Sequence, residues 1–190
     1  PPLDDAYATS EDTPLSVAAD GVLWNDPDGG GTTAALESPP TNGTAQVNPD
    51  GSFVYTPHPD YFGPDSFTYA VDNVAGYAGS ATVLLAVTPV NDPPIAIDDT
   101  AETGTNGAPV PIDVLANDSD VEGDTLTIVD ATPAALGAAV IDGDQILYTP
   151  GDTGGDDTFT YTISDGIDTA TATVRVTVAP PPTTSTTTTS

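Results

Sequence analysis

The sequence contains no cysteine, no methionine and no lysine. Without cysteine, disulfide bonds and thiolate metal sites are excluded, so the fold depends on its hydrophobic cores and on any ions that it binds. The absence of lysine excludes isopeptide cross-links between lysine and asparagine. There is also no apolar stretch long enough for a signal or membrane segment, so we expect the chain to be part of a longer exported protein.

Positive charge is almost absent as well. Arg175 is the single basic residue against 29 acidic ones, which gives a net charge of -28. Such a surface repels phosphate, so nucleic acid and anionic membranes are excluded as partners. Nearly all of the acids are aspartate, a residue of turns and ligand loops. A high-salt habitat is a second explanation for this acidity, and the charge alone does not choose between the two.

The chain contains one unit twice. The segment "VLWNDPDGGGTT" from Val22 returns as "VLANDSDVEGDT" from Val114, and "DSFTYAV" from Asp65 returns as "DTFTYTI" from Asp157, each after 92 residues. A constant offset indicates a duplicated domain. We place the first copy at residues 1–91 and the second at 92–179, with a Pro/Thr/Ser-rich linker or tail at 180–190.

Within each copy, apolar and polar residues alternate with a period of two, as in Phe67, Tyr69 and Val71. This period predicts half-buried strands, and no stretch predicts a long helix. Short strands separated by turn residues favour an all-β fold of two tandem antiparallel sandwiches, immunoglobulin-like or cadherin-like, with about seven strands each. The aromatic residues, including Trp24 in a predicted strand, are interpreted as core residues.

The segment that carries chemistry is Asn117–Asp124, "NDSDVEGD", in which Asp118, Asp120, Glu122 and Asp124 alternate around Gly123. Closely spaced oxygen ligands with a glycine at the turn are what Ca²⁺ requires. The alternative is an acidic turn in which the side chains bind backbone groups. The first copy keeps Asn25, Asp26 and Asp28 but lacks two of the later acids, and both interpretations stay open there.

Catalysis is not predicted. The one histidine, His58, lies between two prolines in a predicted loop and has no evident catalytic partner. A carbohydrate-binding module pair attached to a secreted enzyme is the alternative function, because β-sandwiches bind sugars with exposed aromatic rows. The aromatics considered for such a row are Trp24, Tyr61, Phe62 and Tyr77.

Taken together, several segments resemble the cadherin-like, immunoglobulin-like tandem repeats of large bacterial surface adhesins. They are "PPLDDAYATSEDTPLSVAADGVLWND", "NGTAQVNPDGSFVYTP", "DSFTYAV" and "ATVLLAVTPVNDPP". The resemblance covers nearly all of both copies. It implies β-sandwiches that bind Ca²⁺ in loops and at domain junctions and act as extenders of a cell-surface or secreted protein.

The resemblance also implies ligand positions. The loop ligands are Asn25, Asp26, Asp28, Asn117, Asp118, Asp120 and Asp124. Three further acids match positions that could complete these sites: Glu11, Asp65 and Asp157. The junction ligands are Asn91, Asp92, Asp98 and Asp99. An acidic linker without an ion is the alternative at the junction.

The predicted function is therefore a non-catalytic extracellular stalk, at the bacterial surface or secreted, that Ca²⁺ makes rigid. Its expected partners are calcium ions and neighbouring repeats of the same chain, with cell-surface glycans or like subunits as further candidates.

Overall fold

The computed structural model describes residues 1–26, 31–72 and 78–181, without the side chain of Ala78. Three parts of the sequence interpretation lie outside these residues: the predicted ligand Asp28, the aromatic Tyr77 and most of the predicted tail. The chain divides into two compact units, Pro1–Val90 and Asn91–Ser190. Both are β-sandwiches, as the alternating pattern predicts.

The described residues of the first unit form seven strands and one turn of 3₁₀ helix at Gly21–Leu23. The strands are β1 Asp5–Ser10, β2 Leu15–Val17, β3 Thr33–Ser38, β4 Gly43–Val47, β5 Phe53–Pro57, β6 Gly63–Asp72 and β7 Ala78–Thr88. One sheet has the order β1-β7-β6-β3 and the other has the order β2-β5-β4.

The second unit repeats this arrangement. Its strands are β8 Asp99–Gly104, β9 Val110–Ile112, β10 Thr127–Ala131, β11 Gly137–Asp142, β12 Gln145–Pro150, β13 Gly155–Ser164 and β14 Thr169–Ala179. The sheets have the orders β10-β13-β14-β8 and β11-β12-β9. In each unit the first strand runs parallel to the last, whereas all other pairs are antiparallel.

The long hairpin of each unit shows why the sequence folds in this way. Along β13, Phe159, Tyr161 and Ile163 are buried, and the threonines between them face outward or lie half-buried. Facing strands contribute their own apolar residues, and removal of this apolar surface from water is the main force that holds the two sheets together. The alternation predicted for Phe67, Tyr69 and the last strand of the second copy is confirmed.

The interpretation of Trp24 as a core residue in a strand is wrong. Trp24 caps the C-terminal end of the 3₁₀ turn, and 82% of its surface is exposed. Val22, two residues earlier, is fully buried instead. A run of three apolar residues does not reveal whether the chain continues straight or turns, and here the 3₁₀ turn rotates the third residue outward.

No helix among the described residues has the length and apolar character needed to cross a membrane.

Candidate metal-binding loops

Glu11 is the most deeply buried acid among the described residues of the first unit, at 1% exposure. It follows β1, and its backbone N–H donates to the carbonyl oxygen of Thr88 at the end of β7. One carboxylate oxygen accepts the N–H of Val90, and the other, Oε2, has no hydrogen-bond donor among the described residues. A buried carboxylate oxygen without a donor is costly unless a cation is bound to it.

The acidic loop of the second unit presents two similar oxygens. Asp120 accepts the N–H of Asp124 through Oδ1 at 3.0 Å, and Glu122 accepts the N–H of Asp92 through Oε2 at 3.1 Å. The second oxygen of each, Asp120 Oδ2 and Glu122 Oε1, is buried and meets no donor in the described part of the chain. Gly123 has a φ of 78°, which lets the loop turn between these carboxylates.

Asn117 and Asp118 fasten the start of the second unit to this loop. Asp118 Oδ1 accepts the N–H of Ile97 at 2.7 Å, and the Asn117 amide donates to the carbonyl oxygens of Ile97 and Asp98 at 3.3 and 3.4 Å. Ser119 forms an isolated antiparallel bridge with Ile95. These two predicted ligands therefore have a structural role in holding the segment that leads into β8, and ion binding by them stays a prediction.

The first unit repeats this connection. Asp26 Oδ1 accepts the N–H of Leu3 at 2.7 Å, and the Asn25 amide donates to the carbonyl oxygen of Asp4 at 3.1 Å. The Asp4 carboxylate accepts the N–H of Thr82 at 2.8 Å. In the second unit the Asp98 carboxylate accepts the N–H of Thr173 at 2.8 Å in the same way. The Asn-Asp pair is thus a clip for the first strand in both copies.

A buried tyrosine hydroxyl lies at the centre of each clip. In the first unit, Tyr69 lies within 2.7–3.2 Å of the carbonyl oxygens of Leu3 and Val22 and of the carboxylates of Asp5 and Asp26. In the second unit, Tyr161 contacts the corresponding oxygens, which belong to Ile97, Val114, Asp99 and Asp118. Burial and the neighbouring carboxylates raise the pKa of both tyrosines, so each stays a protonated donor.

The clip also shifts the pKa of its buried acid. Burial raises the pKa of Asp5 to about 6; the hydrogen bond from Tyr69 acts against this shift, and the carboxylates of Asp26 and Asp4 add to it. Burial raises the pKa of Asp99 in the second unit for the same reason. Below its shifted pKa each acid is protonated and neutral in the folded state. Its burial then carries no penalty for a charge.

We expect Asp5→Asn to raise the melting temperature at pH 8 relative to the wild type, and this gain to shrink as the pH falls toward 4. Because the folded pKa of Asp5 is raised, its favourable contribution is complete below the unfolded value near 4 and is lost as the pH rises through about 6. Thermal unfolding of both proteins across this pH range measures the difference.

Asp50→Asn is the matched control. Hydrogen bonds from Ser52 hold the pKa of Asp50 below its ordinary value, so its contribution has the opposite pH dependence. A gain for Asp5→Asn that is independent of pH would contradict the assignment.

Asp65 and Asp157 form a different structure, a latch between the two sheets of each unit. Asp157, at 2% exposure, accepts the N–H groups of Ala135, Leu136 and Thr158 and the hydroxyl of Tyr148, all at 2.7–2.9 Å. Burial by itself raises the pKa of Asp157, but these four hydrogen bonds outweigh it and lower the pKa. All lone pairs are used, so Asp157 is a structural acid in the folded chain.

The latch of the first unit has the same geometry. Asp65 accepts the N–H groups of Thr41, Asn42 and Ser66 and the hydroxyl of Tyr55 at 2.9–3.1 Å. Both residues were predicted to complete ion sites. Because each carboxylate already accepts four hydrogen bonds, we do not propose Asp65 and Asp157 as ion ligands.

The sequence interpretation missed the partners that make these carboxylates structural. Tyr55, Tyr69, Tyr148 and Tyr161 were interpreted only as core residues, although each hydroxyl reaches an acid. The repeat itself carried a signal, because the Asp-Asp pair at residues 4–5 returns at 98–99 and each tyrosine returns with it. An aromatic residue that keeps its hydroxyl in both copies indicates a conserved polar partner within the unit.

Of the aromatics considered for carbohydrate binding, Trp24 and Phe62 are exposed among the described residues. Trp24 follows Val22, whose carbonyl oxygen contacts the Tyr69 hydroxyl near the C-terminal end of β6. Phe62 directly precedes the N-terminal end of β6 at Gly63. Seven residues of extended chain, about 23 Å, separate Phe62 from Tyr69. Trp24 and Phe62 therefore lie toward opposite ends of the unit and do not form one contiguous aromatic surface.

Each unit is a sandwich of two sheets in which the first strand is parallel to the last. This architecture is that of an immunoglobulin-like domain. The sequence profile described as the bacterial Ig domain matches residues 1–86 and 91–177. This match covers most of the chain, so the chain belongs to the bacterial Ig domain family, and the predicted tandem repeat is confirmed. No curated protein matches the sequence.

Solved cadherin structures share the fold. The chain is similar to human CDH23 domains EC21-23, with a TM-score of 0.60, 15% identity and coverage of 94% of this chain and 73% of that one. It is also similar to human mucin-like protocadherin EC1-2, with a TM-score of 0.54, 16% identity and coverage of 94% and 97%.

An enzyme structure gives a weaker match. The endo-fucoidan hydrolase MfFcnA4 matches with a TM-score of 0.39 and 21% identity, over 95% of this chain and 28% of the hydrolase. This similarity is too low to support an argument about activity. The chain spans little more than a quarter of the length of that hydrolase.

Proposed function

We propose that this chain is a non-catalytic, extracellular pair of spacer domains of a bacterial surface or secreted protein, and that Ca²⁺ bound by its acidic loops makes it rigid. Membership of the bacterial Ig domain family supports an extracellular repeat without catalysis. The exposed His58 lies in a turn, where its main chain bonds to Asn42 and Tyr61, and no catalytic partner is predicted for it.

The observation that carries the calcium proposal is the buried Glu11 carboxylate. Its Oε2 is enclosed by protein and meets no hydrogen-bond donor in the described residues. The cost of burying a charged oxygen in this way is several kcal/mol unless a partner compensates it, and lysine is absent from the sequence. The single basic residue, Arg175, lies on β14 of the second unit. A bound cation would supply the compensating positive charge.

Ca²⁺ fits these donors better than Zn²⁺ does. Glu11, Asp120 and Glu122 each offer a hard carboxylate oxygen, and no sulfur or imidazole group stands among these candidate ligands. Oxygen-only sites of flexible geometry favour Ca²⁺ over Zn²⁺, and extracellular modules bind it with dissociation constants of about 0.1–1 mM. Binding in the first unit would involve Glu11, and binding in the second Asp120 and Glu122. The junction ion predicted from the sequence stays a prediction.

We expect Ca²⁺ to raise the melting temperature and a chelator to lower it. At tenfold to hundredfold saturation, each site adds about 1–3 kcal/mol to the free energy of unfolding, or roughly 4–20 °C for a domain of this size. Differential scanning calorimetry in millimolar Ca²⁺ and in chelator measures the shift. Equal melting temperatures under the two conditions would contradict calcium binding.

The variant Glu11→Gln gives a sharper test because its two effects have opposite signs. Without Ca²⁺, removal of the buried charge is expected to stabilise the first unit; with Ca²⁺, the same change is expected to abolish the gain from the ion. Asp120→Asn is expected to do the same in the second unit. Glu102→Gln, an exposed acid on β8, removes one charge away from the loops and should leave the Ca²⁺ response unchanged.

A further inference from the structure

The sequence contains two Asn-Gly pairs, Asn42–Gly43 and Asn106–Gly107, which occupy very different environments. An asparagine followed by glycine can undergo an intramolecular reaction, because the amide nitrogen of glycine is the least shielded of all main-chain nitrogens. The reaction needs that nitrogen to reach the side-chain carbon Cγ of the asparagine. The fold therefore decides which of the two pairs reacts.

The Asn106–Gly107 pair lies in the exposed turn between β8 and β9. Asn106 has a φ of 50°, a left-handed conformation that asparagine tolerates better than most residues do. The N–H of Gly107 donates only to the carbonyl oxygen of Gly104, across a long 3.2 Å bond at the surface. Asn106 and Gly107 are both exposed, and the N–H of Asn106 donates to the carbonyl oxygen of Gly151 at 2.9 Å.

The Asn42–Gly43 pair is fixed by the Asp65 latch. The N–H of Asn42 donates to Asp65 Oδ2 at 3.0 Å, and its carbonyl oxygen accepts the N–H of His58 at 2.8 Å. Gly43 is buried at the start of β4, where a Cβ atom would lie 2.5 Å from the carbonyl oxygen of Thr56. The main chain around Asn42 cannot rotate toward a ring-closing geometry unless this part of the unit opens.

We propose that Asn106 is a site of spontaneous deamidation in the folded protein and that Asn42 is protected by its strand. The Gly107 nitrogen loses its proton and attacks Asn106 Cγ, forming a C–N bond and expelling the side-chain nitrogen as ammonia. Water then opens the five-membered succinimide ring at either carbonyl carbon. The products are an aspartyl or an isoaspartyl residue, and the net reaction consumes one water and releases one ammonia.

The modification changes a turn that connects two parts of the second unit. The N–H of Asn106 donates to the carbonyl oxygen of Gly151, and the N–H of Thr105 donates to that of Ala179 at the end of β14. Deamidation adds one carboxylate to a chain whose net charge is already -28. The isoaspartyl product also inserts a methylene group into the main chain at this point. We expect the two bonds to weaken as the modified fraction grows.

The test is a time course of the intact chain in mildly alkaline buffer, followed by peptide mapping with mass spectrometry. Deamidation replaces NH₂ with OH, and the resulting increase in mass identifies the modified peptide. Methylation by an isoaspartyl methyltransferase detects the rearranged product. Because Asn42 reacts only after its hydrogen bond to a charged acceptor opens, we expect the Asn106 peptide to react about tenfold to hundredfold faster.

The same time course in denaturant separates the effect of the fold from that of the sequence, since both Asn-Gly pairs should then react at similar rates. Asn106→Gln should remove the fast product, because glutamine must form a six-membered ring and does so more slowly, whereas Asn42→Gln should leave the product unchanged. Equal rates at Asn42 and Asn106 in the folded chain, or an unmodified Asn106 after the unfolded chain has reacted, would overturn the proposal.

Discussion

Replacing Asp157 with alanine is expected to lower the free energy of unfolding of the second unit by about 3–5 kcal/mol. The side chain is buried and accepts four hydrogen bonds, three from backbone N–H groups and one from Tyr148. Alanine leaves all four donors without this acceptor, and one of them, the hydroxyl of Tyr148, is fully buried. A domain of this size is stable by only about 5–15 kcal/mol, so the second unit loses much of its stability.

Equilibrium unfolding in guanidinium chloride measures this loss. Asp156→Ala is the control, because Asp156 is exposed and its side chain accepts a hydrogen bond from the Thr177 hydroxyl at 3.2 Å at the surface. A change within about 0.5 kcal/mol is expected. Tyr148→Phe removes one of the four donors and should cost about 1–2 kcal/mol. If Asp157→Ala is as mild as Asp156→Ala, the latch does not stabilise the unit.

The latch also predicts the response of the wild type to acid. The folded pKa of Asp157 is lowered, so its contribution is present above the unfolded value near 4 and is lost as the pH falls through the lower folded value. This dependence is opposite to that of Asp5. Asp157→Ala should therefore destabilise the second unit less at strongly acidic pH than at neutral pH.

Gly137→Ala is the second large effect, with an expected cost of about 3 kcal/mol, at the upper end of the range for overpacking. A Cβ atom at Gly137 would lie 2.5 Å from the hydroxyl oxygen of Tyr148 and 2.6 Å from the carbonyl oxygen of Thr149. The tyrosine cannot move aside, because its hydroxyl donates to Asp157. The strand pairing of β11 with β12 fixes the carbonyl.

Gly104→Ala is the matched control in the same unit. A Cβ atom at Gly104 would meet nothing within 4 Å, so we expect a change of about 0.5 kcal/mol or less. Chemical denaturation of the two variants gives the comparison. The prediction fails if Gly137→Ala and Gly104→Ala unfold at the same denaturant concentration.

The sequence predicted the strands well because their signal is local. In β13 and β14, residues alternate between the core and the surface over their whole length, and a period of two identifies such strands without knowledge of their neighbours. Trp24 shows the limit of the same reasoning. Its apolar neighbours predicted a strand, whereas its exposure depends on a 3₁₀ turn whose hydrogen bonds to Asp50 and Gly51 come from a distant part of the chain.

The acidic residues were harder to interpret because an aspartate has several roles that look the same in sequence. Asp118, Asp120 and Asp157 were all predicted to be ligands. The structure gives Asp157 a full set of donors, Asp118 a backbone clip and Asp120 one oxygen without a donor. Which of these applies depends on groups more than twenty residues away, such as the N–H groups of Ile97 and Ala135.

The sequence by itself determined that this chain is a duplicated all-β protein with an acidic loop in each copy, because strand periodicity, repeat offset and charge are properties of neighbouring residues. Only the tertiary structure decided which role each carboxylate has. It also decided what a side chain would meet at each glycine and how exposed each Asn-Gly pair is. Those depend on which donors, carbonyls and rings the fold brings within about 3 Å, and that distance is set by packing between strands that are far apart in the chain.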